Sequence, residues 1–308
     1  MATTADAGTV TGGGFSRTAP TQRRGEVLLL LGPAVVYLVA FSVYPLVVSL
    51  FRSFHDYDSQ ADSWTWIGLG NYRELVSSDE FWSTVEHTVV LTFAGVAIQV
   101  VLGTALAFFF NQRLRGATLV RGILILPMLL TPIVVGLMWR ALLNPDWGML
   151  NWLLDQVGVH NIPWLSDPEW ALGTLIMVDS WQWTPFVFVI VYARLQALPQ
   201  DVFEAGQVDG ATWLQRTRYI TLPLLMPAIV FAAVFRGIDA FRTFDLVYSL
   251  TSGGPVQATS TLSFEAFQNG FEFYRYGYSS AISYVMVLAA AIGITLLFRV
   301  VHVRRLEA

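Results

Sequence analysis

The sequence predicts an all-α integral membrane protein with six transmembrane helices. Three observations predict it. Of 308 residues, 55% are hydrophobic and 13% charged, about half the charged share of a soluble domain. Six apolar runs are each long enough to cross a hydrocarbon layer. Arginines gather on alternate connecting segments, which by the positive-inside rule places both termini in the cytoplasm.

Residues 1–24 are rich in Gly, Thr and Ala and carry Arg17, Arg23 and Arg24. They read as a disordered cytoplasmic tail, leaving 25–308 as one transmembrane domain. The apolar run that follows is too long for a signal peptide. It forms the first span, Val27 to Phe51, interrupted by Pro33 and Pro45. Arg52 to Thr84 is a polar, aromatic outer segment. Val85 to Phe110 is the second span, with His87 near its outer end, where an interfacial side chain bonded to a neighbour is expected. A turn with Arg113 and Arg115 leads to the third span, Leu119 to Leu143, which contains Pro127 and Pro132. Asn144 to Trp170 is a second outer segment, and Ala171 to Leu195 the fourth span. An inner segment at 198–223 precedes the fifth span, Leu224 to Leu250. Thr251 to Gly277 is outer, Tyr278 to Val301 is the sixth span, and Arg304 and Arg305 end the chain inside.

Composition also excludes chemistry. There is no cysteine, so no disulfide or thiolate site is available. His55, His87, His160 and His302 lack ligand spacing. All 18 basic residues are Arg, so the Lys of a phosphate-binding P-loop is missing. Any ATP that drives the protein must bind a partner. No H-E-x-x-H or G-x-S-x-G motif supports a membrane-embedded enzyme.

The inner segment is the long polar stretch on the arginine-rich side. Asp201 with Glu204 three residues later predicts a capping box and a short helix. Gly210 can take positive φ and end it, and Thr212 can cap a second helix. Ala205 and Gly206 are small enough to let another backbone approach. The pattern E-A-G-x-x-D-G-A-x(8)-I-x-L-P, beginning at Glu204, resembles the signature loop of the membrane subunits of binding-protein-dependent ABC importers. The resemblance implies a type I ABC importer permease fold in which Glu204, Ala205, Gly206, Asp209 and Gly210 belong to a cytoplasmic coupling helix that docks into the ATPase. Gly206 departs from the family's usual Ala. IGLGNYREL, GMLNWLL, WLSDP and TSGGP are similar to segments of the sugar-transporting branch.

Five charged residues lie well inside predicted spans, away from their ends: Asp179, Arg236, Asp239, Arg242 and Asp245. Facing lipid at mid-bilayer, each would cost about 2.5–3.5 kcal/mol, so they must pair or face a cavity. At helical spacing Asp179, Gln182, Trp183 and Phe186 share a stripe about 100° wide, as do Arg236, Asp239, Ala240 and Thr243. Both stripes sit near the midplane, where transporters commonly place substrate. Arg242 and Asp245 lie off the stripe and are expected to form a structural i,i+3 pair.

The resemblance implies a permease half of a maltose/trehalose/glycerol-phosphate-type importer in a bacterial cytoplasmic membrane. Its substrate is expected to be a di- or oligosaccharide held by the two stripes. Implied partners are a second homologous permease, two ATPase subunits that bind ATP and Mg, an extracytoplasmic sugar-binding protein or lipoprotein, and membrane lipid. No nucleic acid, metal or cofactor is expected in this chain. A glycerol-phosphate substrate stays open, because Arg236 suits a phosphate. A proton-coupled secondary transporter would also use midplane carboxylates, but the halves show no inverted repeat.

Overall fold

The computed structural model describes residues 23–58, 62–112, 115–160 and 162–306. Residues 1–22 of the tail expected over 1–24, and Arg113, lie outside the described residues, and Arg23 and Arg24 begin a helix. The chain divides into two units, Met1–Ser49 and Leu50–Ala308. The first holds helix α1 (Arg23–Leu38) and a π-turn (Val39–Val43) that runs into α2 (Tyr44–Ser53). Pro45 explains the π-turn: its ring would clash with the carbonyl four residues back, and Tyr44 N–H instead reaches Val39 O, five residues back. The same arrangement recurs before Pro223, where Leu222 N–H donates to Thr217 O.

In the second unit a hairpin, β1 (His55–Asp58) with β2 (Ser63–Trp66), pairs His55 with Trp66. It is a small departure from the expected all-α class. Helix α3 (Gly70–Ser77) leads to α4 (Asp79–Phe110), whose N-cap is Ser78. Then follow α5 (Ala117–Leu129), α6 (Pro132–Leu142), α7 (Met149–Asp155) and α8 (Pro168–Gln196). Next come α9 (Gln200–Val208), α10 (Trp213–Arg216), a π-turn and α11 (Leu222–Phe241). The chain closes with α12 (Asp245–Leu250), α13 (Leu262–Phe267) and α14 (Tyr276–Leu306). Among the described residues five helices are long and apolar enough to cross a membrane, and a bent pair makes a sixth.

The α4–α8 contact forms the centre. Ala107 and Phe110 of α4 pack with Val187, Phe188 and Val191 of α8 and with Leu225 and Ala232 of α11. Gly103 permits that approach, since a Cβ there would lie 2.9 Å from Phe188 N. His87 is half-buried on α4, but its Nδ1 has no partner, contrary to the bond expected for it.

Two expected spans are broken. The third turns by 101° between α5 and α6, because Pro132 holds Leu130 and Thr131 in extended conformation. The fifth does not run to Leu250. It ends at Phe241 and resumes as α12. No Gly or Pro marks this break; tertiary bonds replace those lost, with Thr261 Oγ1 donating to Thr243 O at 3.0 Å. Helix α12 then lies so close to α6 that a Cβ on Gly136 would meet Ser249 Oγ at 1.9 Å.

Helix α13 carries a buried carboxyl, Glu265, only 3% exposed. Burial pushes it up to about 7, with Glu80 adding repulsion and a hydrogen bond from Thr84 opposing both. The folded state therefore holds the proton more tightly than the unfolded chain, whose Glu titrates near 4.5. Stability from this group is full below about pH 4.5, falls as pH rises toward 7, and is flat above, a total of roughly 3 kcal/mol. Glu265→Gln should flatten thermal stability in detergent between about pH 5 and 7. An unchanged slope would place the pH dependence elsewhere.

Candidate functional site

Three helices meet at Arg236, which is 1% exposed on α11. Its Nε donates to Gln99 Oε1 of α4 at 2.9 Å. Nη2 donates to both oxygens of Asp179 on α8, at 3.2 and 3.1 Å, and Nη1 to Asp239 Oδ2 one turn on. Gln99 Nε2 closes the ring on Asp179 Oδ2 at 2.7 Å. The guanidinium lies over the indole of Trp183, 4.6 Å from its centroid, a favourable cation–π geometry. Gly95 opens the space beside the pair, where a Cβ would approach Asp179 Oδ2 to 3.3 Å.

Beside this network is a cavity of about 370 Å³. Of the eight stripe residues expected to face it, Asp179, Gln182, Trp183, Asp239 and Thr243 line it. Phe186 stacks on Phe235 at 5.1 Å and meets Trp183 edge-on, while Ala240 and Arg236 are buried in packing. The Gln182 amide donates to Leu130 O at 3.0 Å, satisfying the carbonyl freed by the break at Pro132. Its Oε1 has no partner.

One expected pair is corrected and one residue was overlooked. Arg242 and Asp245 were expected to pair along one helix, but the break at Phe241 separates them, and Arg242 reaches Asp239 instead at 3.4 Å. Both line the cavity. Gln99 was missed. Its signal was the one amide in the stretch from Val89 to Phe110, whose other polar side chains are Thr92 and Thr104.

The inner segment folds largely as read. Helix α9 ends in a Schellman turn, with Gly210 N–H on Gln207 O, Ala211 N–H on Gly206 O and Gly210 at φ 74°. Thr212 and Gln215 form a reciprocal capping box. The box expected at Asp201 and Glu204 is absent: Pro199 holds the N-cap position, and Asp201 sits one residue into the helix, placing its charge near the N-terminal dipole. Gly206 is buried not against a backbone but against Ile220, whose Cδ1 lies 3.0 Å from a built Cβ. Glu204, Ala205, Asp209 and Gly210 are exposed.

Residues 99–306 match the model of the family described as "Binding-protein-dependent transport system inner membrane component". The chain is 36% identical to the trehalose/maltose transport system permease protein MalF of Thermococcus litoralis, over 86% of this chain and 90% of that one. It is 33% identical to the trehalose transport system permease protein SugA of Mycobacterium tuberculosis, over 92% and 91% respectively. Among solved structures, a bacterial ABC transporter chain involved in import of the acidic polysaccharide alginate superposes with TM-score 0.79 at 22% identity, covering 92% of this chain and 96% of that chain.

The network predicts its own sensitivity. Arg236→Leu leaves Asp179 buried with Gln99 as its remaining partner and should lower stability by about 3–5 kcal/mol, read as thermal unfolding in detergent. Adding Asp179→Asn should restore part of that loss. A single variant that melts with the parent would show that Asp179 finds other compensation.

Proposed function

Since the chain belongs to the binding-protein-dependent transport system inner membrane components, the multi-pass permease subunits of ABC importers, we propose that it passes a neutral di- or oligosaccharide across the cytoplasmic membrane. The observation that carries this reading is the cavity beside Trp183 and Asp179, a polar pocket within an apolar bundle. An indole covers the apolar face of a sugar ring, while carboxylate and amide groups bond its hydroxyls. Asp179, Gln182, Trp183, Asp239 and Thr243 form the wall, with Phe186, Arg236 and Ala240 supporting it from behind. A glycerol phosphate suits the site poorly, because Arg236 is already spent on two carboxylates and the site holds three carboxylates, Asp179, Asp239 and Asp245, against Arg236 and Arg242.

In this reading residues 25–308 form one permease domain with both termini inside. A second homologous permease completes the cavity. Residues 198–223 dock an ATPase dimer, which supplies all ATP and Mg chemistry, and an external sugar-binding lipoprotein delivers substrate. Closure of the ATPases on ATP displaces the segment Glu204–Gly210, turns the cavity outward and admits the sugar; hydrolysis returns it inward. This chain performs no covalent step.

Two measurements test the reading. Trp183→Ala should lower uptake of a neutral disaccharide in vesicles at least about tenfold, with the number of assembled complexes unchanged; normal uptake at normal assembly would remove the cavity as the sugar site. Gly210→Val forces a β-branched residue into positive φ at a cost above about 1 kcal/mol. It should abolish transport while the external protein keeps its affinity for sugar. Retained transport would free the turn from coupling.

A further inference from the structure

The cavity contains one cation that the buried network does not consume. Arg236 makes four hydrogen bonds and is 1% exposed. Arg242 is its opposite. It caps α11 rather than continuing it, its side chain is 71% exposed, and its recorded ionic contact is the 3.4 Å approach to Asp239. It lines the cavity with Asp239, Thr243 and Asp245. The helix break at Phe241 is what places it there, since an unbroken helix would have spent Arg242 on Asp245.

We infer that Arg242 is the specificity-determining residue of this cavity, donating to the hydroxyls of a neutral glycan while Asp239 and Asp245 accept from them. The inference rests on the sugar-permease reading above and adds to it the group that discriminates among substrates. Each sugar hydroxyl both donates and accepts, and the wall offers both kinds of partner. Arg242 and Thr243 supply donors. Asp239 and Asp245 supply acceptors. Charge narrows the class further. Asp179 pairs with Arg236, and Asp239 lies between Arg236 and Arg242. Asp245 has no recorded ionic partner among the described residues, so one negative charge is left over. An anionic glycan, such as a uronate or sugar phosphate, meets that excess and is repelled. A neutral one is not.

The test uses the full complex, with its partner permease, ATPases and binding protein, reconstituted in vesicles. Labelled maltose, trehalose and a uronate disaccharide serve as probes. Arg242→Gln should lower uptake of the preferred neutral disaccharide at least about tenfold, with assembly and thermal unfolding unchanged because the side chain is exposed. Arg242→Lys should restore little, since an ammonium lacks the planar fork. Asp245→Asn should raise the ratio of uronate to neutral uptake. Parental uptake by Arg242→Gln, in a system where Trp183→Ala is impaired, would overturn the role of Arg242 and leave the cavity standing. Parental uptake by both would overturn the cavity reading itself. Loss of uronate uptake alone in Arg242→Gln would overturn the neutral assignment.

Discussion

The structure depends on one buried guanidinium. Among the described residues Arg236 is the largest fully buried side chain, on a helix whose composition suits lipid. An unpaired cation at that depth would cost several kcal/mol. The chain answers with one group from each neighbour: Gln99 from α4, Asp179 from α8 and Asp239 from α11 itself. The arrangement stabilises little in net terms, since desolvating two ions consumes most of what their attraction returns. It does fix geometry. A guanidinium donates in a rigid plane, so helices that satisfy it are held in one rotation about their axes. The wall of the neighbouring cavity inherits that rotation.

The second constraint is how the backbone breaks where it must. A freed carbonyl within a membrane needs an internal donor. At Pro132 the donor is the Gln182 amide on Leu130 O; at the end of α11 it is Thr261 Oγ1 on Thr243 O. Ahead of Pro45 and Pro223 the chain avoids the loss by widening to a π-turn. Each break at the cavity brings a polar side chain to the wall. The polarity of the site is thus partly a by-product of interrupting helices there.

This explains which features were legible in the sequence. Span number and the second and fourth spans followed from apolar length, and Gly210 and Thr212 from local backbone chemistry. Asp179 and Arg236 announced themselves because ionised groups in apolar runs require partners. What sequence could not supply was which partner. Arg236 looked available to substrate because nothing along its own helix revealed Gln99, 137 residues away. The break after Phe241 was invisible for a similar reason. No Gly or Pro stands there, and α12 instead packs closely onto α6. Together these two misses reversed the roles of the two arginines, making Arg236 the strut and Arg242 the exposed group.

The position of the strut also bears on how the inner segment reaches the cavity. Helix α10, its π-turn and α11 form one continuous stretch, Trp213–Phe241. Thr212, which caps it, follows Gly210 by two residues. From Trp213 to Arg236 the rise is about 35 Å at 1.5 Å per residue. A helix of that length transmits a tilt applied at one end as a displacement at the other, provided that its far end is held by contacts that move as a unit. The Arg236 network is such a contact, because its polar groups cannot separate inside an apolar bundle without leaving a charge unpaired. A tilt of α11 therefore either carries α4 and α8 with it or breaks the network. Beyond the strut Arg242 stays exposed, touching the network only through Asp239 at 3.4 Å.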